Sequence, residues 1–296
     1  MSEKKAPRPS ALAGYALVAA AATSWGAQSI VAKVLLTSGL PPSWLISTRT
    51  ALASVIVAGT LAAVKPGLLR VSARDLCELG LLGIVMALSQ YTYYFALTRI
   101  PVATTLLVIY TSPLLVLAAS VLIHGEPLER RDLIAAAATL VGAAFVVRAY
   151  EPEVLRLNAL GLTASVFCAA AFAFYSLWGK RAAPAASPWT RVTYSLGTAA
   201  AFWLPLAPPW TLLQSAHPPA IWLGLAVVVV FGTLLPFGLF LSGLARISAA
   251  HASLTATLEP IVAAVVAYFV LGERLEPLQL VGGALVLGGI ALLHIR

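Results

Sequence analysis

Charged residues are scarce in this chain. Asp, Glu, Lys and Arg supply only 10% of its 296 residues, while 60% are hydrophobic. Soluble globular proteins carry about 25% charged residues, so the composition excludes a water-soluble domain as the main structure. The loops between the long apolar runs are short and leave no space for a separate nucleotide-binding or signalling module. We therefore expect one integral membrane unit.

Cysteines and catalytic patterns are also scarce. The two cysteines, Cys77 and Cys168, have no paired spacing, so we expect neither a disulfide nor a metal framework. The four histidines are dispersed, and the HExxH, GxxxxGK and GxSxG patterns do not occur. An intramembrane hydrolase would need a nucleophile with a base, or paired carboxylates, inside the apolar runs. We expect no enzyme and no cofactor.

Ten hydrophobic runs, bounded by Pro, Gly and charged residues, indicate membrane-spanning helices. Each crossing needs about 20 apolar residues, and the runs lack the alternation of barrel strands. The runs are 11–36, 43–64, 76–98, 102–123, 132–149, 158–179, 188–206, 219–245, 250–271 and 277–295. The predicted fold class is an all-α integral membrane protein with ten transmembrane helices.

The 19 Lys and Arg residues are scattered among these runs and form no basic stripe, so a nucleic-acid partner is not expected. Twelve lie on the side of the N-terminus and five on the opposite side, while Arg49 and Arg191 lie within the runs. Positive loops face the cytoplasm. Both termini are therefore predicted to be cytoplasmic.

An internal repeat with a constant sequence offset runs through the chain. The offset relates these pairs: Lys33 and Lys180, Arg99 and Arg246, Pro113 and Pro260, Gly125 and Gly272, Glu126 and Glu273, and Gly142 and Gly289. It predicts two five-helix repeats, 1–149 and 150–296, and the odd helix number inverts the second repeat. Inverted repeats are typical of alternating-access transporters with a site near the midplane. An inactive duplicated scaffold is the alternative.

The carboxylate most deeply placed in a hydrophobic run is Glu259. An acid near the bilayer centre costs a few kcal/mol, and His251 and Thr255 precede it by eight and four residues, which places all three on one face of a continuous helix. We expect Glu259 to bind a cationic group or to exchange a proton, with His251 as a second candidate coupling group. An ion pair or hydrogen bond that only ties helices together is the alternative.

Two prolines and one arginine are the other candidates for gating or coupling. Pro113 and Pro260 each remove a helical hydrogen bond, so both helices are expected to bend at equivalent depths. The bends suit gating or a substrate-facing carbonyl; static packing is the alternative. Arg49, about two turns into the second run, either attracts a substrate carboxylate or forms a structural bond to a backbone carbonyl.

Aromatic and amide side chains concentrate in the middle of several runs. Together they suit a cavity for a zwitterion with an apolar side chain, or for a cationic drug held by cation–π contacts; simple packing between helices is the alternative. The candidate substrate-binding residues of this kind are Trp25, Gln28, Gln90, Tyr91, Tyr94, Tyr110, Tyr175 and Trp178, with Thr255 and Glu259 from the ninth run.

Three groups of residues resemble the drug/metabolite transporter superfamily, specifically the EamA-type ten-helix transporters. They are Trp25-Gly26 with Lys33, Pro113 followed by Gly125-Glu126, and Leu258-Glu259-Pro260 followed by Gly272-Glu273-Arg274-Leu275. The second copy departs from the first, since Phe172 and Ala173 replace Trp25 and Gly26. The resemblance implies a secondary transporter of the bacterial inner membrane, most similar to exporters of aromatic amino acids and methionine.

The expected function is export of small amphiphilic metabolites, most of all amino acids, by alternating access. The expected partners are a small-molecule substrate and the lipid bilayer, with protons as the candidate coupling ion. A cationic-drug or nucleotide-sugar carrier of the same superfamily is the alternative within this class. A passive channel and a membrane scaffold are the alternatives outside it.

Overall fold

The computed structural model describes residues 11–100, 102–123, 125, 127–152, 158–214, 217–272 and 275–293. These residues are helical and contain no β-strand. The expected roles of Glu126, Glu273 and Arg274 lie outside them. Thirteen α-helices lie within the described residues: α1 Ala11–Thr37, α2 Pro42–Val64, α3 Ala73–Leu97, α4 Val102–Ile109, α5 Ser112–Leu122, α6 Arg130–Val146, α7 Ala159–Arg181, α8 Pro188–Trp203, α9 Pro219–Val229, α10 Leu235–Leu244, α11 Ala249–Ala256, α12 Glu259–Leu271 and α13 Pro277–Leu292.

Six helical segments of the described chain are long and apolar enough to cross a membrane. Three of them combine consecutive helices: α4 with α5, α9 with α10 through a π-helical turn at Val230–Leu234, and α11 with α12. The six are Pro42–Val64, Ala73–Leu97, Thr104–Leu122, Ala159–Arg181, Pro219–Leu244 and Ala249–Val270. The helix α13 is also apolar but shorter, at 16 residues. The chain is thus a membrane protein in character.

Local polar residues set many helix ends. Ser72, Asn158, Ser187 and Ser248 each accept a hydrogen bond of 3.1 Å from the backbone N–H three residues later, at the starts of α3, α7, α8 and α11. Such caps satisfy backbone donors that have no partner within the helix. Short polar loops therefore separate the hydrophobic runs where the sequence predicts.

Glycines explain two turns at positions that the repeat offset relates. Gly125 and Gly272 have φ angles of 64° and 70°, a left-handed conformation in which a Cβ atom would be strained. Glu129 and Glu276, also related by the offset, both begin helices with a capping box. Equivalent positions therefore build equivalent turns before α6 and α13.

The helices before residue 150 pack extensively on those after it. The helix α1 contacts α10 and α12, α3 contacts α7 and α8, and α2 contacts α8. Between α6 and α13, a Cβ atom added to Gly142 would lie 2.6 Å from the Gly282 carbonyl oxygen, and one added to Gly289 would lie 2.9 Å from the Ala135 carbonyl oxygen. Small residues allow this close approach of helix backbones, so α6 and α13 pack closely against each other.

Two helical segments are broken at equivalent positions. The α-helix stops at Tyr110-Thr111 before Pro113, and again at Thr257-Leu258 before Pro260. At each break a backbone N–H donates to the carbonyl three residues back, and not four as in an α-helix. Thr111 N donates to Val108 O at 3.1 Å, and Thr257 N donates to Leu254 O at 3.2 Å. The bends expected at the prolines are therefore breaks located two to three residues before them.

Candidate functional site

A cavity of about 610 Å³ lies between the two broken helices. Its wall comes from α1, α2, α3 and α7, from the helices on either side of the two breaks (α4, α5, α11 and α12), and from single residues of α6, α10 and α13. Most residues predicted as site residues meet here: Trp25, Gln28, Arg49, Gln90, Tyr94, Tyr110, Pro113, Tyr175, Glu259 and Pro260. Ligand cavities in proteins have volumes of about 300 to 1,000 Å³, so the cavity suits a small molecule.

Positions that the repeat offset relates line this cavity in pairs. The pairs are Leu106 and Ser253, Ile109 and Ala256, Tyr110 and Thr257, Ser112 and Glu259, and Pro113 and Pro260. Equivalent positions of the two halves therefore line the same cavity, but most of them carry different side chains. An acid stands on one side where a serine stands on the other.

Glu259 is the first residue of α12, directly after the break. Its side chain is half-buried, and among the described residues its carboxylate has no hydrogen-bond or ion-pair partner. A Cβ atom added to Gly26 would lie 2.5 Å from the Glu259 carbonyl oxygen, so only glycine permits α1 to approach the start of α12 this closely. The contact sets the acid beside the cavity face of α1. Within the part of the chain that the structure describes, Glu259 therefore forms no ion pair or hydrogen bond that would tie helices together.

Arg49 is almost fully buried, with 3% of its surface exposed. Its Nη2 donates a hydrogen bond to Gln90 Oε1, and its Nη1 donates one to the Tyr94 hydroxyl at 3.3 Å. The guanidinium also lies 5.6 Å from the centre of the Tyr94 ring, within the range of a cation–π interaction. The arginine is thus bound to side chains of α3, and not to a backbone carbonyl as one sequence interpretation expected.

Aromatic rings form one wall of the cavity. Trp25 meets Phe172 and Phe237 edge to face, with ring centres 6.3 and 5.3 Å apart, and Tyr175 meets Phe237 at 5.7 Å. Sequence reasoning missed Phe172 and Phe237 as lining residues. The repeat offset contained the signal, since Phe172 is equivalent to Trp25 and Phe237 to Gln90.

Three predicted substrate-binding residues lie outside the cavity. Tyr91 has 41% of its surface exposed on the outer side of α3, and its ring centre is 5.4 Å from that of Trp203. Trp178 Nε1 donates to the Glu78 carbonyl oxygen at 3.1 Å, which ties α7 to α3. Thr255 is buried, and its hydroxyl donates to the His251 carbonyl oxygen at 2.7 Å. These placements correct the expectation that all three face the substrate.

His251 does not line the cavity either, and the break at Thr257-Leu258 ends the continuous helix on which it was expected to share a face with Glu259. Its ring joins a polar cluster that we call the inner latch, made of Tyr15, Asp132, His251 and the Leu293 carbonyl. The Tyr15 hydroxyl lies 2.6 Å from His251 Nδ1 and 3.2 Å from the Leu293 oxygen, and His251 Nε2 lies 3.2 Å from Asp132 Oδ1. The inner latch connects α1, α6, α11 and the end of α13.

Exposed residues line the cavity at one end of α1. The exposed side chains of Lys33 and Thr37 line it near the C-terminal end of α1, so its mouth is there. The inner latch lies at the opposite end of α1, where Lys180, the repeat equivalent of Lys33, donates to the Ile247 carbonyl oxygen. Lys33 is therefore exposed at one end of α1, whereas its equivalent Lys180 is hydrogen-bonded near the other end.

Beside the mouth, the turn after α6 forms a charged cluster. Arg148 pairs with Glu151 and Glu276, and the Tyr150 hydroxyl donates to Glu276 Oε2 at 2.6 Å. Partial burial, together with this hydrogen bond to a carboxylate, raises the pKa of Tyr150. The neighbouring Gln279 amide donates to the Val146 carbonyl oxygen at 3.0 Å. The cluster holds the ends of α6 and α13 together next to the mouth.

The sequence matches the EamA-like transporter family twice, over residues 12–148 and again over 159–295. The chain belongs to this family. The starts of its two EamA-like halves are separated by the same offset that relates the residues of the cavity wall.

Several relatives of this EamA-like transporter have names that state a transport function. An uncharacterized transporter of Archaeoglobus fulgidus is 32% identical over 71% of this chain and 73% of its own length. The threonine/homoserine exporter RhtA of Escherichia coli K12 is 27% identical over 91% and 87%, and a probable terminal-alkyne amino-acid exporter of Streptantibioticus cattleyicolor is 27% identical over 84% and 82%. A solved crystal structure with 20% identity matches 96% of the chain with a TM-score of 0.77, which shows a shared fold.

Proposed function

We propose that this EamA-like transporter exports amino acids across a bacterial inner membrane by alternating access. In this proposal the helices form ten spans, arranged as two inverted five-helix units with both termini in the cytoplasm. The two family matches and the paired positions of the cavity wall support the inverted repeat. The names of RhtA and of the alkyne amino-acid exporter support an amino acid as the substrate.

The observation that carries the proposal is the separation of opposite charges in one cavity. Glu259 has no partner among the described residues, while Arg49 is bound to neutral side chains on α3. A zwitterion would place its ammonium beside the acid and its carboxylate toward the arginine, so that each charge is compensated in a medium of low dielectric. The aromatic wall beside Trp25 suits an apolar side chain.

The geometry also suggests how export proceeds. With the N-terminus inside, the mouth at Lys33 faces outward and the inner latch closes the cytoplasmic end. Rocking of the two units would break the inner latch and close the Lys33 end. The breaks before Pro113 and Pro260 are the points at which the lining helices bend, because the α-helical hydrogen bonds are already interrupted there.

A cationic drug is the second candidate, favoured by one observation. The unpartnered acid Glu259 and the aromatic group of Trp25 and Phe172 line the same cavity, and rings next to an acid bind organic cations by cation–π contact. A nucleotide-sugar carrier has no comparable support among the described residues. A scaffold would bind neither ligand.

Counterflow tests the proposal directly. Purified protein is placed in liposomes loaded with unlabelled Phe, Trp, Met, Thr or a cationic dye, and uptake of the labelled counterpart is followed. Saturable counterflow of an amino acid is expected. A signal with the dye alone would replace the proposal by drug export, flux without saturation or counterflow would indicate a channel, and silence throughout would contradict transport of these substrates.

Glu259→Gln tests the acid. The variant keeps the size of the side chain and removes its charge, so counterflow should fall to background while the yield of folded protein is unchanged. Asp75→Asn, which removes an acid at the start of α3 outside the cavity and keeps an oxygen for the Ser72 hydroxyl, is the matched control and should transport normally. Normal counterflow in Glu259→Gln would exclude the acid from binding and from proton coupling.

A further inference from the structure

We propose that the side-chain NH₂ group of Gln90 binds the carboxylate of the substrate, and that Arg49 is a positioning residue that fixes the orientation of this amide. The inference rests on the proposed amino-acid transport and deepens it. It assigns the anionic end of the site to a neutral residue.

Hydrogen-bond chemistry determines the orientation of Gln90. A guanidinium has only donors, so Arg49 Nη2 must face the amide oxygen and not the NH₂ group. The NH₂ group must then point away from Arg49. Gln90 is half-buried and lines the cavity, and among the described residues its NH₂ group has no acceptor. Two N–H donors are therefore available to a ligand.

Arg49 itself is poorly placed to contact a ligand. Only 3% of its surface is exposed, and the Gln90 amide and the Tyr94 ring cover its guanidinium. Its positive charge nevertheless lies directly behind the amide. A cation that donates to the amide oxygen polarises the amide and strengthens the N–H donors on its other side. The pair thus offers a carboxylate both hydrogen bonds and a positive field.

The other two amides in the cavity wall, Gln28 and Gln279, already donate to backbone carbonyl oxygens. Gln28 is 9% exposed, and its Nε2 donates to the Trp25 carbonyl oxygen at 3.3 Å. Its oxygen is pressed against Gly232, where an added Cβ atom would lie 2.6 Å from Oε1. One Gln28 N–H is therefore used within α1, and the contact with Gly232 confines the amide, whose oxygen has no hydrogen-bond partner among the described residues.

The repeat shows that the two ends of the site come from different halves. The position equivalent to Gln90 is Phe237, and the position equivalent to Glu259 is Ser112. The first half therefore supplies the carboxylate site and the second half supplies the ammonium site. A zwitterion would bridge the two halves, whereas an amine without a carboxylate would contact only the second.

A comparison of ligands with and without the carboxylate tests the inference. For purified full-length protein, the concentrations of phenylalanine and of phenethylamine that give half-maximal thermal stabilisation are measured and expressed as a ratio. Loss of hydrogen bonds to a charged group costs about 10- to 100-fold in affinity. Wild-type protein is expected to prefer phenylalanine by that factor, and Gln90→Leu is expected to bind both ligands about equally.

Variants of Arg49 separate positioning from simple folding. Arg49→Met should lose the preference for phenylalanine while it still binds phenethylamine, and Arg49→Lys, which retains a donor and a charge, should recover part of the preference. Tyr91→Phe is the control, because this neighbour of Gln90 faces the outer side of α3. It should keep the wild-type ratio.

Two results would overturn the inference. An unchanged ratio in Gln90→Leu, with binding of both ligands intact, would overturn it alone and leave amino-acid transport standing. Absence of stabilisation of the wild-type protein by phenylalanine, methionine, threonine and tryptophan would overturn both the inference and the proposed function.

Discussion

The inner latch allows a quantitative prediction about the end of the cavity that we propose to be closed on the cytoplasmic side. Tyr15→Phe removes one hydroxyl, which lies 2.6 Å from His251 Nδ1 and 3.2 Å from the Leu293 carbonyl oxygen. These contacts join α1 to α11 and to the end of α13, so in the proposed transport cycle they exist only while the cytoplasmic end is closed. The substitution should therefore raise the free energy of the closed state and leave that of the open state almost unchanged.

The size of the effect follows from the two contacts. A hydrogen bond contributes about 1 kcal/mol net, so the loss of both should weaken the closed state by about 2 kcal/mol. A free-energy difference of about 1.4 kcal/mol is a factor of ten in an equilibrium constant. The population that is open to the cytoplasm should rise about 30-fold.

A cysteine reporter measures this population. Cys77 and Cys168 are replaced by alanine, and Ser253, which lines the cavity and is 1% exposed, is replaced by cysteine. A membrane-impermeant maleimide is added to the cytoplasmic side. Because the open state is the minor one, the labelling rate is proportional to its population. Tyr15→Phe should label about 30-fold faster.

Controls distinguish opening from unfolding. Tyr268→Phe removes a hydroxyl from a residue that is 46% exposed on the outer surface of α12, and it should label at the parent rate. Faster labelling of Tyr15→Phe from both sides of the membrane would mean general destabilisation. An unchanged rate from the cytoplasmic side would refute the assignment of this cluster as a latch.

Two further predictions concern the repeat and its interface. Gly282→Ala should lower the thermal unfolding temperature in detergent, because the new Cβ would lie 2.6 Å from the Gly142 carbonyl oxygen and overpacking costs about 1–3 kcal/mol; Gly283→Ala, with no atom within 4 Å, should be neutral or stabilising, and the reverse order would contradict the close α6–α13 contact. Cysteines at the exposed, repeat-related positions Thr98 and Ala245 should label from opposite faces of the membrane, and labelling from one face would contradict the inverted repeat.

Helix positions were readable from the sequence because hydrophobic runs and caps are local signals. Every predicted run of the described chain contains α-helix, and the breaks before Pro113 and Pro260 follow from the missing hydrogen bond of proline. The repeat offset also indicated which positions are equivalent. Glu259, Gln28 and Tyr110 were predicted as site residues and line the cavity.

The direction in which a side chain faces was less predictable. Gln90 and Tyr91 are neighbours on one helix, yet one lines the cavity and the other faces outward. Successive residues differ by about 100° around a helix, so the rotation of α3 against α7 and α8 decides which of the two meets a ligand. His251 shows the same effect, because a break of two residues ended the helix phase that linked it to Glu259.

The sequence by itself determined that this chain is a helical membrane protein of duplicated design with one deeply placed acid, because hydrophobicity, capping and repetition are written residue by residue. The tertiary structure decided which residues surround that acid. Close glycine contacts, such as Gly26 against α12, set how the helices approach and rotate, and these contacts join residues that lie far apart in the sequence. Only the packed helices therefore show Gln90 with its amide fixed by Arg49, and His251 in the inner latch and not beside Glu259.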